Sequence, residues 1–234
     1  MNWESFENYD TLSERAAHIL LDAIRTDPRT ILGLPTGRTP VGMYARVVAG
    51  CRADYHCFRE VTTFNLDEYV GIPRKHPGSY FTYMREQLFA HVDLAPARTH
   101  LPRGDAPDLE AECARYEAEI ASSGGLGLTF LGLGRNGHIG FNEPGTPFAS
   151  RTRVVELTES TRRANAGLFS DGRVPERAIT MGIGTILESR RIILLASGAS
   201  KREALERLRG GEISEAFPAS ALWRHGNVTV LSGD

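Results

Sequence analysis

Cysteine is scarce in this chain. Three stand among 234 residues, Cys51, Cys57 and Cys113, an odd number without the paired spacing of a zinc site. The amino terminus, Met1-Asn2-Trp3-Glu4-Ser5-Phe6-Glu7, is acidic and lacks the basic patch and apolar stretch of a signal peptide. Together these read as reduced thiols in a cytoplasm. No apolar run approaches the roughly eighteen residues that a bilayer span requires, which excludes a membrane helix. A basic excess is lacking too. Lys and Arg number 27 against 29 Asp and Glu, leaving a net charge of -2, so no nucleic-acid footprint is expected. Repeats, low-complexity tracts and long Pro/Gly/Ser linkers are also missing, and the expectation is one domain over residues 1–234.

What is present alternates between strand and helix. Ser13 to Ile24 carries Ala16, Ala17, Ile19, Leu20, Ala23 and Ile24 at helical spacing. Thr30 to Leu34 is a short apolar strand, after which Thr39 and Pro40 read as N-cap and first residue of a helix over Val41 to Val48. Val61 to Leu66 is β-branched and strand-like. Tyr80 to Phe89 and Leu109 to Ala121 read as helices, the second with Leu109, Cys113, Tyr116 and Ile120 on one face. Strands follow at Leu128 to Leu133, Ile192 to Ala196 and Val228 to Leu231, and Ser200 to Leu208 is a helix stopped by Gly210-Gly211. The first dozen residues carry no assignable pattern. Continuous apolar strands between helices predict a three-layer, Rossmann-like α/β fold, its mostly parallel sheet flanked by helices.

Chemistry-bearing residues collect where strands end. Leu128 to Leu133 runs into Gly134, and His138 and Glu143 follow within nine residues. Open α/β sheets place ligands beyond the carboxyl ends of their strands. His138 is the side chain here whose ordinary pKa suits proton transfer near neutrality, unless it is simply a structural histidine in a tight loop. Gly33-Leu34-Pro35-Thr36-Gly37-Arg38-Thr39-Pro40 is a glycine and hydroxyl loop that opens a helix, either a phosphate cradle or a plain turn. It lacks the Gly-Lys-Ser/Thr ending of a Walker loop. Asp67-Glu68 reads as a capping or solvated acidic pair, or as a general base.

Residues 33–40, Thr-Phe-Asn-Leu-Asp-Glu-Tyr-Val-Gly (63–71), His-Pro-Gly-Ser-Tyr (76–80), Gly-Arg-Asn-Gly-His-Ile-Gly-Phe-Asn-Glu-Pro-Gly (134–145) and Ser-Gly-Ala-Ser-Lys (197–201) follow one another along the chain. In that order the five segments resemble the glucosamine-6-phosphate deaminase/isomerase family, whose fold the 6-phosphogluconolactonases share. The lactonases do not share Phe-Asn-Glu-Pro. The resemblance implies reversible conversion of glucosamine 6-phosphate and water to fructose 6-phosphate and ammonia, without metal or organic cofactor. It implies that His138 opens the sugar ring, held by Glu143 and by the side chain of Asn136, and that Asp67 moves the C2 proton. Thr36, Gly37, Thr39, Gly132 and Lys201 are expected around the substrate, with Tyr80 in a mobile lid, and Arg38 is a candidate replacement for a phosphate-binding arginine that this chain lacks. The expected partner is a small sugar phosphate, on a monomer or homo-oligomer.

Three departures are visible. Asn136 stands where some members carry aspartate; it can hydrogen-bond the histidine but brings no charge, leaving that to Glu143. Gly167 occupies the place of a phosphate-binding arginine, two residues after Asn165, while Arg38 falls where the family is small. The allosteric positions of regulated hexameric members are poorly matched: Arg153 is present, but Thr146, Pro147, Val155 and Glu156 replace the ligating pattern, so such regulation is not expected. Other readings are a biosynthetic paralogue acting on a different amino-sugar or sugar phosphate, and a non-catalytic sugar-phosphate sensor. The intact acid and base residues argue against the sensor.

Overall fold

The computed structural model describes residues 1–53, 57–169 and 172–233. Strands are β1 (Asn2–Phe6), β2 (Ile31–Leu34), β3 (Thr62–Asn65), β4 (Asp67–Tyr69), β5 (Thr99–His100), β6 (Leu128–Gly132), β7 (Arg153–Glu156), β8 (Arg177–Thr180), β9 (Arg191–Ser197) and β10 (Val228–Gly233). The helices are α1 (Tyr9–Thr26), α2 (Val41–Ala53), α3 (Tyr80–Gln87), α4 (Leu109–Ser122), α5 (Glu159–Asn165), α6 (Ile183–Leu187) and α7 (Arg202–Arg209).

Seven strands form one sheet in the order β1-β10-β9-β6-β2-β3-β5, and every neighbouring pair in it is parallel. The alternation of side chains across this sheet explains its two covers. Leu32, Leu34, Leu128, Phe130, Ile193 and Leu195 face a core shared with Leu12, Leu20, Met43 and Val47 of α1 and α2. Their alternates Leu131, Ile192, Leu194, Val228 and Val230 face Tyr116 and Ile120 of α4 and Ala204 and Leu208 of α7. Strands buried on both faces need continuous apolar runs, which is why these were readable in the chain. The three-layer α/β expectation holds.

Between β2 and β6 the order of connection reverses: β3 and β5 extend from β2 one way, β9 and β10 from β6 the other. That makes the β2/β6 boundary a topological switch point, with a crevice beyond the carboxyl ends of both strands.

Several boundaries differ from the sequence expectation. The unassigned first residues form β1, an edge strand paired with β10. α1 starts four residues before Ser13, with Asn8 accepting the Thr11 N–H at 3.0 Å as its cap. Thr39 is not the cap of α2. The Pro40 carbonyl takes the N–H of Tyr44, so the helix opens one residue later. α3 ends at Gln87, because Leu88 leaves helical geometry at φ -141° and Phe89 enters a separate 3-10 turn. Cys51 and Cys57 are joined as a disulfide, which corrects the reading of three free thiols; Cys113 is free and buried.

A second sheet, antiparallel in the order β4-β8-β7, was not anticipated. Under it lies a small aromatic core of Tyr69, Tyr80, Phe141 and Phe169 with Leu101, Leu157 and Ala178. This sheet carries Asp67 and Glu68.

Candidate active site

The loop after β2 is held from behind. Tyr44 donates to the Pro35 carbonyl at 2.6 Å and Tyr83 to the Gly37 carbonyl at 2.6 Å. Tyr9 donates to the Thr39 carbonyl at 2.9 Å and accepts the Gly42 N–H at 2.7 Å. Gly37 sits at φ +98°, a conformation that lets the chain turn sharply here. The N–H groups of Thr36, Gly37, Arg38 and Thr39 have no acceptor among the described residues. Carbonyls occupied and amides free, at the head of a thirteen-residue helix, make a cradle for an anion. Arg38 is exposed on its rim.

One strand away, Asp67 is 5% exposed and Glu68 4%, so the acidic pair is neither solvated nor at an open sheet edge. Burial, reinforced by the charge of Glu68, pushes Asp67 up to about 8, against a pull from the Thr36 hydroxyl. A carboxyl group of that kind can take and return a proton near neutrality. Glu68 accepts backbone N–H groups from Tyr69, Tyr80 and Phe81, all at 2.9 Å. The capping reading therefore fits Glu68, although the helix it caps, α3, begins twelve residues away. Tyr80 opens that helix as a buried residue, its hydroxyl 3.3 Å from that of Tyr69.

The loop after β6 comes up against the same carboxylate. Gly140 lies so near that a Cβ there would stand 3.0 Å from Thr180 Oγ1 and 3.5 Å from Asp67 Oδ2. His138 folds back over Gly134, where a Cβ would fall 2.4 Å from its ring. Its Nδ1 stands 3.7 Å from Glu143 Oε1, an ion-pair separation longer than a hydrogen bond. Glu143 accepts from Asn136 Nδ2 at 2.6 Å and Thr161 Oγ1 at 2.6 Å. Burial pushes its carboxyl up, but His138, Thr161 and Asn136 outweigh it and hold the group at about 2. Glu143 is thus a fixed negative charge facing the ring. Asn136 differs from its expected role: its carbonyl accepts the backbone N–H of His138 at 3.3 Å and its amide holds Glu143, while the imidazole is left to Glu143 alone.

Gly132 ends β6, its Cβ position open for at least 4 Å. Lys201 closes a 3-10 turn between β9 and α7. Burial lowers its pKa, and the positive charge of Arg135 lowers it further. Neither cation has a carboxylate partner among the described residues, so an anion would relieve both. Arg135 belongs to the histidine motif, and its nearness to Lys201 emerges only in the fold. Gly167 is exposed in the 3-10 turn Ala166–Leu168, with nothing within 4 Å of where its Cβ would be. Thr161, which holds Glu143, and the three loop-pinning tyrosines also escaped the sequence reading, since hydroxyls give no local pattern. Arg153 binds Asn142 Oδ1 at 2.9 Å and supports the loop rather than a ligand.

A cleft of about 550 Å³ opens at the opposite, amino-terminal edge of the sheet, but none of these residues lines it. Two of its arginines are already paired, Arg15 with Glu4 and Arg29 with Glu60.

Comparison with known proteins agrees with this geometry. The family of glucosamine-6-phosphate isomerases and 6-phosphogluconolactonases matches residues 5–231. The glucosamine-6-phosphate deaminase of Lysinibacillus sphaericus (strain C3-41) is 52% identical over 234 residues, covering 100% of this chain and 99% of that one. Glucosamine-6-phosphate deaminase 1 of Bacillus subtilis (strain 168) is 52% identical over 226 residues, or 96% of this chain and 93% of the other. A solved structure described as a monomeric glucosamine-6-phosphate deaminase superposes with a TM-score of 0.97 at 50% identity, covering 100% of this chain and 97% of its own. The 6-phosphogluconolactonase of Thermotoga maritima reaches a TM-score of 0.77 at 20% identity over 100% and 99% of the chains, a likeness of fold alone.

Proposed function

Because the chain belongs to the family of glucosamine-6-phosphate isomerases and 6-phosphogluconolactonases, we propose that it is a glucosamine-6-phosphate deaminase. The reaction takes glucosamine 6-phosphate and water to fructose 6-phosphate and ammonia. The observation that carries this reading is the buried Asp67 lying against the His138 loop, at the switch point that also holds the anion cradle. Hydrolysis of a lactone breaks no C–H bond, whereas an aldose-to-ketose shift requires a base that takes and returns a carbon-bound proton. A desolvated carboxyl group suits that work.

The ring opening and the isomerisation fall to named groups. His138, faced by Glu143, delivers a proton to the ring oxygen and so opens the pyranose. Asp67 removes the proton from C2, leaving an enolamine, and returns it to C1. The resulting imine at C2 adds water and expels ammonia. The N–H groups of Thr36 to Thr39, with Lys201, Arg135 and Arg38, receive the phosphate, and Tyr80 and Gly132 border the sugar. His138 and Asp67 account for the proton transfers of ring opening and isomerisation, and the reading includes no cofactor or metal.

The same reading takes residues 1–234 as one domain, working as a monomer. Two observations support the monomer: the likeness to a monomeric deaminase, and the fact that Val41 and Ile213 are the only large exposed hydrophobics among the described residues. Obligate interfaces are apolar and large. No helix among the described residues is long and apolar enough to cross a membrane. The cytoplasm is the assigned compartment, where a charged sugar phosphate is retained.

Ammonia release measured on glucosamine 6-phosphate, glucosamine and N-acetylglucosamine 6-phosphate tests the proposal. The first should turn over and the other two should not. Release from glucosamine at a comparable kcat/KM, or none from glucosamine 6-phosphate, would overturn it.

A further inference from the structure

Glu68 has no step in the reaction, yet it is the more elaborately held member of the buried acidic pair. A carboxylate removed from water must be satisfied by donors. Those of Glu68 are the N–H of its neighbour Tyr69 at Oε1 and two N–H groups from the first turn of α3, Tyr80 at Oε1 and Phe81 at Oε2, all at 2.9 Å. First-turn N–H groups have no partner within their own helix, and they stand at the positive end of its dipole. Ser79 satisfies the next one, accepting from Thr82 at 3.1 Å. The start of α3 is therefore bonded to β4 through one side chain, by charge-assisted bonds.

What α3 carries gives that bond its reach. The Tyr80 hydroxyl lies beside Thr36 and Tyr69 and within the field of Asp67. One turn on, the Tyr83 hydroxyl holds the Gly37 carbonyl at 2.6 Å. The helix thus spans from the base to the anion cradle, and its seat is Glu68.

Among the described residues Glu68, next to it on β4, is the one charged group that acts on Asp67; Tyr69, Tyr80 and Tyr116 around it are held neutral by burial, and the Thr36 hydroxyl reaches it from the cradle. Among the described residues no cation acts on Asp67. Burial pushes Glu68 itself up to about 7, against the pull of its three backbone donors and of Arg74, so it is ionised above neutrality, in the range where Asp67 titrates. An ionised Glu68 is consequently a like charge beside the base, and like charges favour the protonated form.

We propose that Glu68 is a positioning residue with two tasks: its carboxylate seats α3 over the substrate, and its negative charge governs how readily the adjacent base Asp67 takes up a proton. This inference rests on the reading of Asp67 as the base. It accounts for why an uninvolved carboxylate is buried next to the reacting one.

The test is the pH dependence of kcat/KM and the KM for glucosamine 6-phosphate, in wild type, Glu68→Gln and Glu68→Asp. Glu68→Gln removes the charge and replaces one acceptor with a donor. Its acid limb should move to lower pH by about one unit, because Asp67 loses its proton more easily, and its KM should rise roughly tenfold. Glu68→Asp keeps the charge but shortens the reach, so its KM should rise while its acid limb stays near the wild-type position. An unmoved acid limb in Glu68→Gln overturns the electrostatic task, and an unchanged KM in both variants overturns the seating task. Should Glu68→Gln fail to fold, Arg74→Gln reports instead: removing the cation that favours ionised Glu68 should also lower the acid limb, and an unmoved limb overturns the electrostatic task. Asp67→Asn separates the two proposals. If solvent deuterium still enters at C2 at the wild-type rate, Asp67 is not the base, and a KM change in the Glu68 variants then stands as seating alone.

Discussion

The guanidinium of Arg38 is exposed at the lip of the anion cradle, and the fold uses only the backbone carbonyl of this residue, which accepts from Tyr9 at 3.2 Å. At Gly167 the reverse holds: a side chain would have open space, and none is there. Arg38 is therefore the arginine expected to meet the phosphate, in place of one at 167. A charged hydrogen bond contributes about 1.5–3 kcal/mol, so Arg38→Gly should raise KM for the phosphorylated sugar by roughly tenfold or more. Arg135 and Lys201 remain in that variant and set the residual affinity. Installing Gly167→Arg in the same background should recover part of the loss. Steady-state kinetics decide it; an unaltered KM in Arg38→Gly would assign the phosphate to the Arg135 and Lys201 pair.

At the scale of elements, the loop after β6 is as demanding as the strand before it. His138 reaches its place only because Gly134 has no side chain, since a Cβ would sit 2.4 Å from the ring. Gly134→Ala should therefore displace the imidazole, lowering kcat/KM by about 10²–10⁴-fold, the usual worth of a general acid–base group. Thermal unfolding should move only a few degrees, because the strand itself is untouched. A variant with full activity would show that the ring tolerates a different seat. This loop was legible in the chain because an apolar run broke into glycines around a histidine and a glutamate. The second sheet was not. β4 is Asp-Glu-Tyr, β7 begins with arginine and ends with glutamate, and β8 is four residues long, so none shows an apolar run or a clean alternation. β1 mixes polar and aromatic residues, and its partner is at the other end of the chain. The tasks of Glu68 and Thr161 depend on groups brought close by folding: a helix start in one case, Glu143 in the other. No local pattern encodes either.

For the molecule as a whole, Glu143 and Asp67 act on stability in opposite directions. Glu143 is held below its unfolded value, so its contribution is present above about pH 4.5 and is lost as pH falls toward about 2. Asp67 is raised, so the folded state binds its proton more tightly. Its contribution is complete below about pH 4 and is lost as pH rises through about 8. Asp67→Asn should then match wild type at pH 4 and exceed it at pH 8, by on the order of a few kcal/mol at about 1.4 kcal/mol per pKa unit. Urea unfolding at the two pH values measures this, and equal differences at both would contradict the raised pKa. The stability gain would come with loss of isomerisation, the expected exchange at a desolvated site. Light scattering on the intact chain should give a mass near 25.7 kDa, as a monomer requires; a multiple of it would reassign the oligomeric state.

The pairing of β1 with β10 has a consequence in time. Ser5 and Ser232 touch through their hydroxyls across 227 residues of chain. At about 5–20 residues per second, a ribosome needs roughly 10–45 s to make the strand against which β1 lies. Until then residues 2–6 have no place in the sheet, and they wait beside a nascent chain whose β2, β3 and β6 are already free to assemble. The central sheet can thus form from the middle outward, with its earliest-made strand joining last.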